Sequence, residues 1–153
     1  MEPRLLQGFQ LNKRNPFDQI IRNPVTCTLS KKNCTAQIDL PSLMPGINFV
    51  VPGRFPFFGF MIVLGVLPDV VFHPHGYRTS GNYEMVYPVY QQTDWHLAST
   101  GVAARSIQLK MDKQMPDQSF SLMVAVGIRF GNPGLEKVEQ VKYAGAGKIL
   151  SVI

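Results

Sequence analysis

Two stretches of the chain alternate between apolar side chains and others with a period of two. In the first, Arg105, Ile107, Leu109 and Met111 alternate with Ala104, Ser106, Gln108 and Lys110. Side chains two apart share one face of an extended strand, so this pattern predicts a half-solvated strand. In the second, Phe120, Leu122, Val124, Val126, Ile128 and Phe130 stand opposite Ser121, Met123, Ala125, Gly127 and Arg129, a row long enough to be central to a core. A third stretch, Phe57 to Leu67, is apolar without alternation and lies between Pro56 and Pro68. It predicts a strand covered on both faces, since it has only about half of the ~20 residues that a membrane-spanning helix needs.

Shorter segments fill in the remainder. Val25 to Ser30 and Cys34 to Leu40 read as a hairpin across Ser30-Lys31-Lys32-Asn33. Ile47 to Val51 and Val70-Val71-Phe72 are short extended pieces, followed by a polar loop from Gly76 to Asn82. In Tyr83 to Tyr90, Pro88 cannot donate to a ladder and so predicts an edge or bulged strand. Asn132-Pro133-Gly134 predicts a turn, and Val138, Val141 and Tyr143, then Ile149 to Ile153, predict two closing strands around a flexible Ala144-Gly145-Ala146-Gly147. Helical periodicity is confined to one turn near Pro16 to Ile21, with Asn15 as N-cap and proline in the first position.

About eight short strands, with no helix long enough for a parallel crossover, predict an all-β fold of two antiparallel sheets packed as a sandwich. Immunoglobulin-like and jelly-roll topologies both fit, and a closed barrel is the alternative. Thirteen glycines and 12 prolines are spread along the chain with no linker among them. The expectation is one domain over residues 1–153, with residues 1–20 as an N-terminal arm.

Composition adds a constraint on the surface. Apolar residues make up 45% of the chain but charged ones only 16%, against about a quarter in an ordinary globular protein. Part of the exterior must therefore be neutral or apolar, a surface that another copy or a partner covers. The net charge of +5 is scattered over Lys13 and Arg14, Lys31 and Lys32, Lys110 and Lys113, and Lys137 and Lys142. Without a basic run or interleaved aromatics, a nucleic-acid partner is disfavoured. Cys27 and Cys34 are expected as free thiols, because a turn centred on Lys31 and Lys32 pairs Cys27 with a residue nearer Gln37. Met1 to Gly8 lack the apolar segment of an export signal. The expected location is the cytoplasm, a virion or another assembly, with no membrane as partner.

Three local patterns resemble an uncharacterised family of small bacterial proteins with immunoglobulin-like β-sandwich domains. They are Phe9-Gln10-Leu11-Asn12-Lys13-Arg14-Asn15-Pro16-Phe17; Ala36-Gln37-Ile38-Asp39-Leu40-Pro41; and Val124 to Phe130 with the closing Tyr143-Ala144-Gly145-Ala146-Gly147-Lys148-Ile149. Together they span under half the chain, and Phe72 to Tyr90 has no counterpart in the pattern. The resemblance implies a sandwich fold. It implies no activity, cofactor or functional residue.

Candidate chemistry is sparse. His73-Pro74-His75 projects two imidazoles to one side of an extended chain, where His96 could complete a metal site, although no cysteine pair or carboxylate cluster supports it. Asp94-Trp95-His96 juxtaposes a carboxylate and an imidazole, but neighbours on a strand face opposite ways, and a core tryptophan between exposed polar residues is the plainer reading. No nucleophile elbow or phosphate-binding glycine loop is present, and no cofactor is expected. Tyr77, Tyr83, Tyr87, Tyr90 and Trp95 crowd one region and form the candidate ligand or partner surface. The sequence therefore points to a non-enzymatic structural or interaction module, a self-associating subunit of a larger assembly. A carbohydrate-binding module using those aromatics and a small metal-dependent enzyme are the alternatives.

Overall fold

A computed structural model describes residues 2–79, 83, 85–112, 115 and 119–153. The chain is mostly β, and its strands are antiparallel throughout. A three-stranded sheet is formed by β1 (Thr26–Ser30), β2 (Thr35–Leu40) and β8 (Arg105–Lys110), in that order. In the larger, six-stranded sheet, β9 (Phe120–Pro133) pairs on one side with β3 (Phe57–Pro68) and on the other with β10 (Val138–Gln140) and β11 (Ala146–Val152). The far edge of β3 is taken by β6 (Val89–Gln92) and the short β7 (His96–Leu97). The remaining pair, β4 (Val70–His73) and β5 (Gly76–Thr79), forms a separate two-stranded sheet among the described residues.

The two long strands organise the core. Their register runs from Phe57 opposite Gly131 to Pro68 opposite Phe120, so Phe58, Phe60, Ile62 and Leu64 lie beside Phe130, Ile128, Val126 and Val124. All eight are buried, and they share one apolar cluster with Ile38, Leu40, Ile107 and Leu109 from the three-stranded sheet. That shared core makes the architecture sandwich-like, as the two alternating rows predicted. Before the first strand, Gly8 to Leu11 hydrogen-bond along β11, with Gly8 N and Leu11 N donating to Ile149 O and Gly147 O at 2.8 Å. The helical turn α1 (Phe17–Ile20) buries Phe17 and Ile20.

The structure differs from the sequence expectation in several places. The outer face of β3 is not sealed: Met61 is 39% exposed. Its apolar character reflects the inner row, together with Gly59 and Gly65, where loop residues approach the backbone. The loop expected from Gly76 is partly strand, because β5 folds back on β4, while Ser80, Gly81 and Asn82 lie outside the described residues. Pairing at the predicted edge begins at Val89, directly after Pro88. Ala146 and Gly147, expected to be flexible, are buried in β11. The turn near Asn132 moves outward to Gly134–Lys137, since Val138 pairs with Pro133. Asn15 does not cap α1. Its side chain donates to Ala144 O, Pro16 takes the cap position, and Gln10 Oε1 accepts the Phe17 N–H at 2.8 Å.

Position along β3 sets the cost of a substitution. Phe60→Ala should destabilise the fold by about 3–5 kcal/mol through lost burial and a residual cavity. Met61→Ala, one residue along on the open face, should cost under about 1 kcal/mol. Urea unfolding of the two variants checks the contrast.

Candidate functional site

The candidate aromatics separate into two groups. Phe72 faces Tyr77 across the β4–β5 hairpin, with ring centroids 5.4 Å apart in an edge-on arrangement. Both are open to solvent, at 72% and 77% exposure. Tyr83 is half-buried at the hairpin base near Pro68 and Thr79, beside the Phe120 ring, and donates its hydroxyl to Ser119 O at 3.4 Å. Burial and the charge of Asp69 push its phenol pKa up. Tyr87 and Tyr90 are 67% and 66% exposed. Pro88 lies against Gly65, and Tyr90 pairs with Val63, so these tyrosines all gather toward the C-terminal end of β3.

Trp95 lies at the other end of β3, roughly 15 Å from Tyr90 at ~3.3 Å per strand residue. It is half-buried and not a core residue, which corrects the sequence reading. The reason is register. His96 pairs with Phe58, whose ring is buried inward, so His96 turns inward as well, with ring centroids 5.6 Å apart. Its neighbour Trp95 is then directed to the outer face, where Gly131 makes room: a Cβ there would lie 3.1 Å from Trp95 Cη2 and 2.4 Å from Val138 Cγ1.

Over that tryptophan lies Arg129, a residue that the pattern of polar positions did not single out. Its Cζ is 4.2 Å from the indole centroid, and its Nη2 donates to Thr93 O at 2.8 Å. Thr93 is itself buried and tied to β3, because Thr93 Oγ1 accepts the Phe60 N–H at 2.9 Å. The guanidinium crosses Gly59, where an added Cβ would come 3.2 Å from Nε. Nε is buried with no hydrogen-bond partner among the described residues, and burial holds the Arg129 pKa below its usual value. Glycine inside a strand marks a close approach, so Gly59 and Gly131 were the available signals in the sequence.

The three histidines do not meet. His73 and His75 are exposed on the β4–β5 hairpin, whereas His96 is opposite Phe58, roughly 30 Å away along β3 at the rise of a strand. Among the described residues, no three of His, Cys, Asp and Glu are grouped so as to hold a metal ion. Arg105 Nη2 lies 3.5 Å from His96 Nε2. Cys27 and Cys34 are both free thiols, and burial pushes both thiol pKa values up. Cys27 pairs with Ile38, one residue from the expected partner Gln37. Among the described residues, no helix is long and apolar enough to cross a membrane.

With this geometry in view, comparison with known proteins returns nothing: no family model, no curated protein and no solved structure matches the chain.

Two outcomes test the site. Gly131→Ala should overpack the Trp95 contact, lowering stability by about 1–3 kcal/mol and shifting the emission of Trp95, the single tryptophan. Fluorescence-detected urea unfolding reads both. His96 supplies a pH dependence: its burial first, then the positive charge of Arg105, hold its pKa below the ordinary 6.5, with Asp94 partly opposing. The unfolded chain therefore takes the proton more readily. This contribution to stability is complete above the unfolded pKa of about 6.5 and is lost as pH falls toward the folded value. His96→Asn should flatten that part of the profile in urea midpoints measured from pH 7.5 to pH 5.

Proposed function

We propose that this protein is a non-enzymatic structural subunit that associates with copies of itself through its aromatic end. The observation that carries the reading is the β4–β5 hairpin. Among the described residues its strands form a two-stranded sheet of their own, yet Val70, Val71, Phe72 and Tyr77 are all exposed. An isolated two-stranded ribbon is marginal in water and needs a third strand or a packed face for stability. Here the face bearing Val70, Phe72 and Tyr77 has the composition of a contact surface, depleted of charge and rich in aromatic rings.

The available area fits. Phe72, Tyr77, Tyr87 and Tyr90 are each about two-thirds or more exposed. At roughly 200 Å² per ring they offer on the order of 550 Å². Val70 and Met85, also exposed, bring the surface toward the ~800 Å² that each partner of a standard interface buries. The low charge of the whole chain, 16%, supports the same reading.

Light scattering coupled to size-exclusion chromatography, run at several protein concentrations, tests it. The wild type should form a defined multimer or grow with concentration. The double variant Phe72→Ser with Tyr77→Ser, exposed and therefore near-neutral for folding, should elute as a 17.1 kDa monomer with an unchanged circular dichroism spectrum. A wild type that stays monomeric at every concentration overturns self-association.

A further inference from the structure

We propose that the groove on the outer face of the six-stranded sheet binds a carboxylate carried on an apolar chain, of the class of medium-chain acyl carboxylates. The groove has a volume of about 410 Å³, within the ≈300–1,000 Å³ of small-molecule sites. Its floor is made by Met61, Ala125, Gly127 and Gly147, and Leu11 from the N-terminal segment stands at one side. Met61, Gly127 and Gly147 are consecutive in register across β3, β9 and β11; Leu11 covers Gly147, its Cδ1 3.0 Å from where a Cβ there would lie, so the absent side chain at Gly127 is what hollows the middle of the sheet. Gly127 is not demanded by the backbone. A Cβ there would meet Ala146 O at 3.4 Å and Met61 O at 3.7 Å, ordinary contact distances.

Charge selects the occupant. Arg129 is the one ionised side chain lining the groove, and no carboxylate lines it. The only ion pair among the described residues is Lys148 with Asp18, so Arg129 is unpaired. Its Nη2 is occupied by Thr93 O and its Nε is enclosed, while Nη1 has no protein acceptor among the described residues. A partly desolvated guanidinium without a counter-charge is costly, and an anion that shares its site offsets that cost. With no lysine or second arginine lining the groove, a singly charged carboxylate matches it better than a doubly charged phosphate. From Arg129 to Ala125 the floor extends about 13 Å along β9 at ~3.3 Å per residue. That is room for an apolar tail with its carboxylate at the Arg129 end. The neutral amides of Gln92 and Gln140 complete the rim.

Trp95, stacked on Arg129, is a built-in reporter. Decanoate, titrated below its micelle concentration, should change Trp95 emission saturably, with calorimetry giving one site per chain. Decanol and decyltrimethylammonium, which keep the tail but lose the negative charge, should bind on the order of 10- to 100-fold more weakly, as loss of a charge-assisted hydrogen bond implies. Arg129→Gln should abolish the preference of decanoate over decanol. Gly127→Leu should block both ligands while leaving the Trp95 emission of the free protein unchanged, which separates a filled groove from a misfolded chain. No saturable response, equal affinity for decanoate and decanol, or undiminished binding by Gly127→Leu would overturn the proposal.

Discussion

The pairing of β3 with β9 is the constraint on which the other features of the fold rest. The two strands lie far apart in the chain, so closing them together is entropically costly and must be offset by what the pair buries. Phe58, Phe60, Ile62 and Leu64 against Phe130, Ile128, Val126 and Val124 provide that burial on one face. Register is held by the same contacts. A slip of one residue would turn the phenylalanines and isoleucines to solvent and bring Met61, Gly127 and Arg129 inward. Much of what lies between the strands in sequence is then placed by them: the β4–β5 hairpin leaves from one end of β3, while β6 and β7 return along its free edge, and β8 crosses to pair with β2 in the other sheet.

One face of this pair is the core and the other is the surface on which ligand chemistry is proposed. The inner row is uniformly large, whereas the outer row alternates bulk with gaps: Gly59 and Gly131 admit Arg129 and Trp95, and Gly127 leaves the middle empty. The stacked pair is held from behind by Thr93, whose backbone and hydroxyl both bond to Phe60. A substitution deep in the ladder at Phe60 can therefore disturb the Trp95 site without touching it.

The proposed assembly surface and the proposed ligand groove adjoin at Val63, which lines the groove and pairs with Tyr90, and extend from there toward opposite ends of β3. The hairpin end carries exposed rings and no carboxylate or ammonium between Val70 and Arg78, which suits a contact made by burial. The Trp95 end carries a single unpaired cation beside an apolar floor, which suits a small amphiphile. The two readings can fail independently, since the rings of the hairpin do not line the groove.

Local pattern by itself determined the strands. The period-two rows of β8 and β9 and the hairpin around Lys31 and Lys32 are where the sequence placed them, because alternation and turn chemistry act within a few residues, whereas the edge expected over Tyr83 to Tyr90 pairs only from Val89. The sandwich-like class followed from their number and from the lack of long helices. What tertiary structure alone decided was which faces are covered and which aromatics meet. Tyr83 and Trp95, twelve positions apart in the chain, are directed to opposite ends of β3, and His73, His75 and His96 never converge, because strand pairing and not sequence proximity sets their separation. Arg129 belonged to an unremarkable alternate row. Its significance came from Trp95, Thr93 and Gly59, three residues brought to it by the β3 ladder, and a counter-charge missing in space leaves no mark in a one-dimensional pattern.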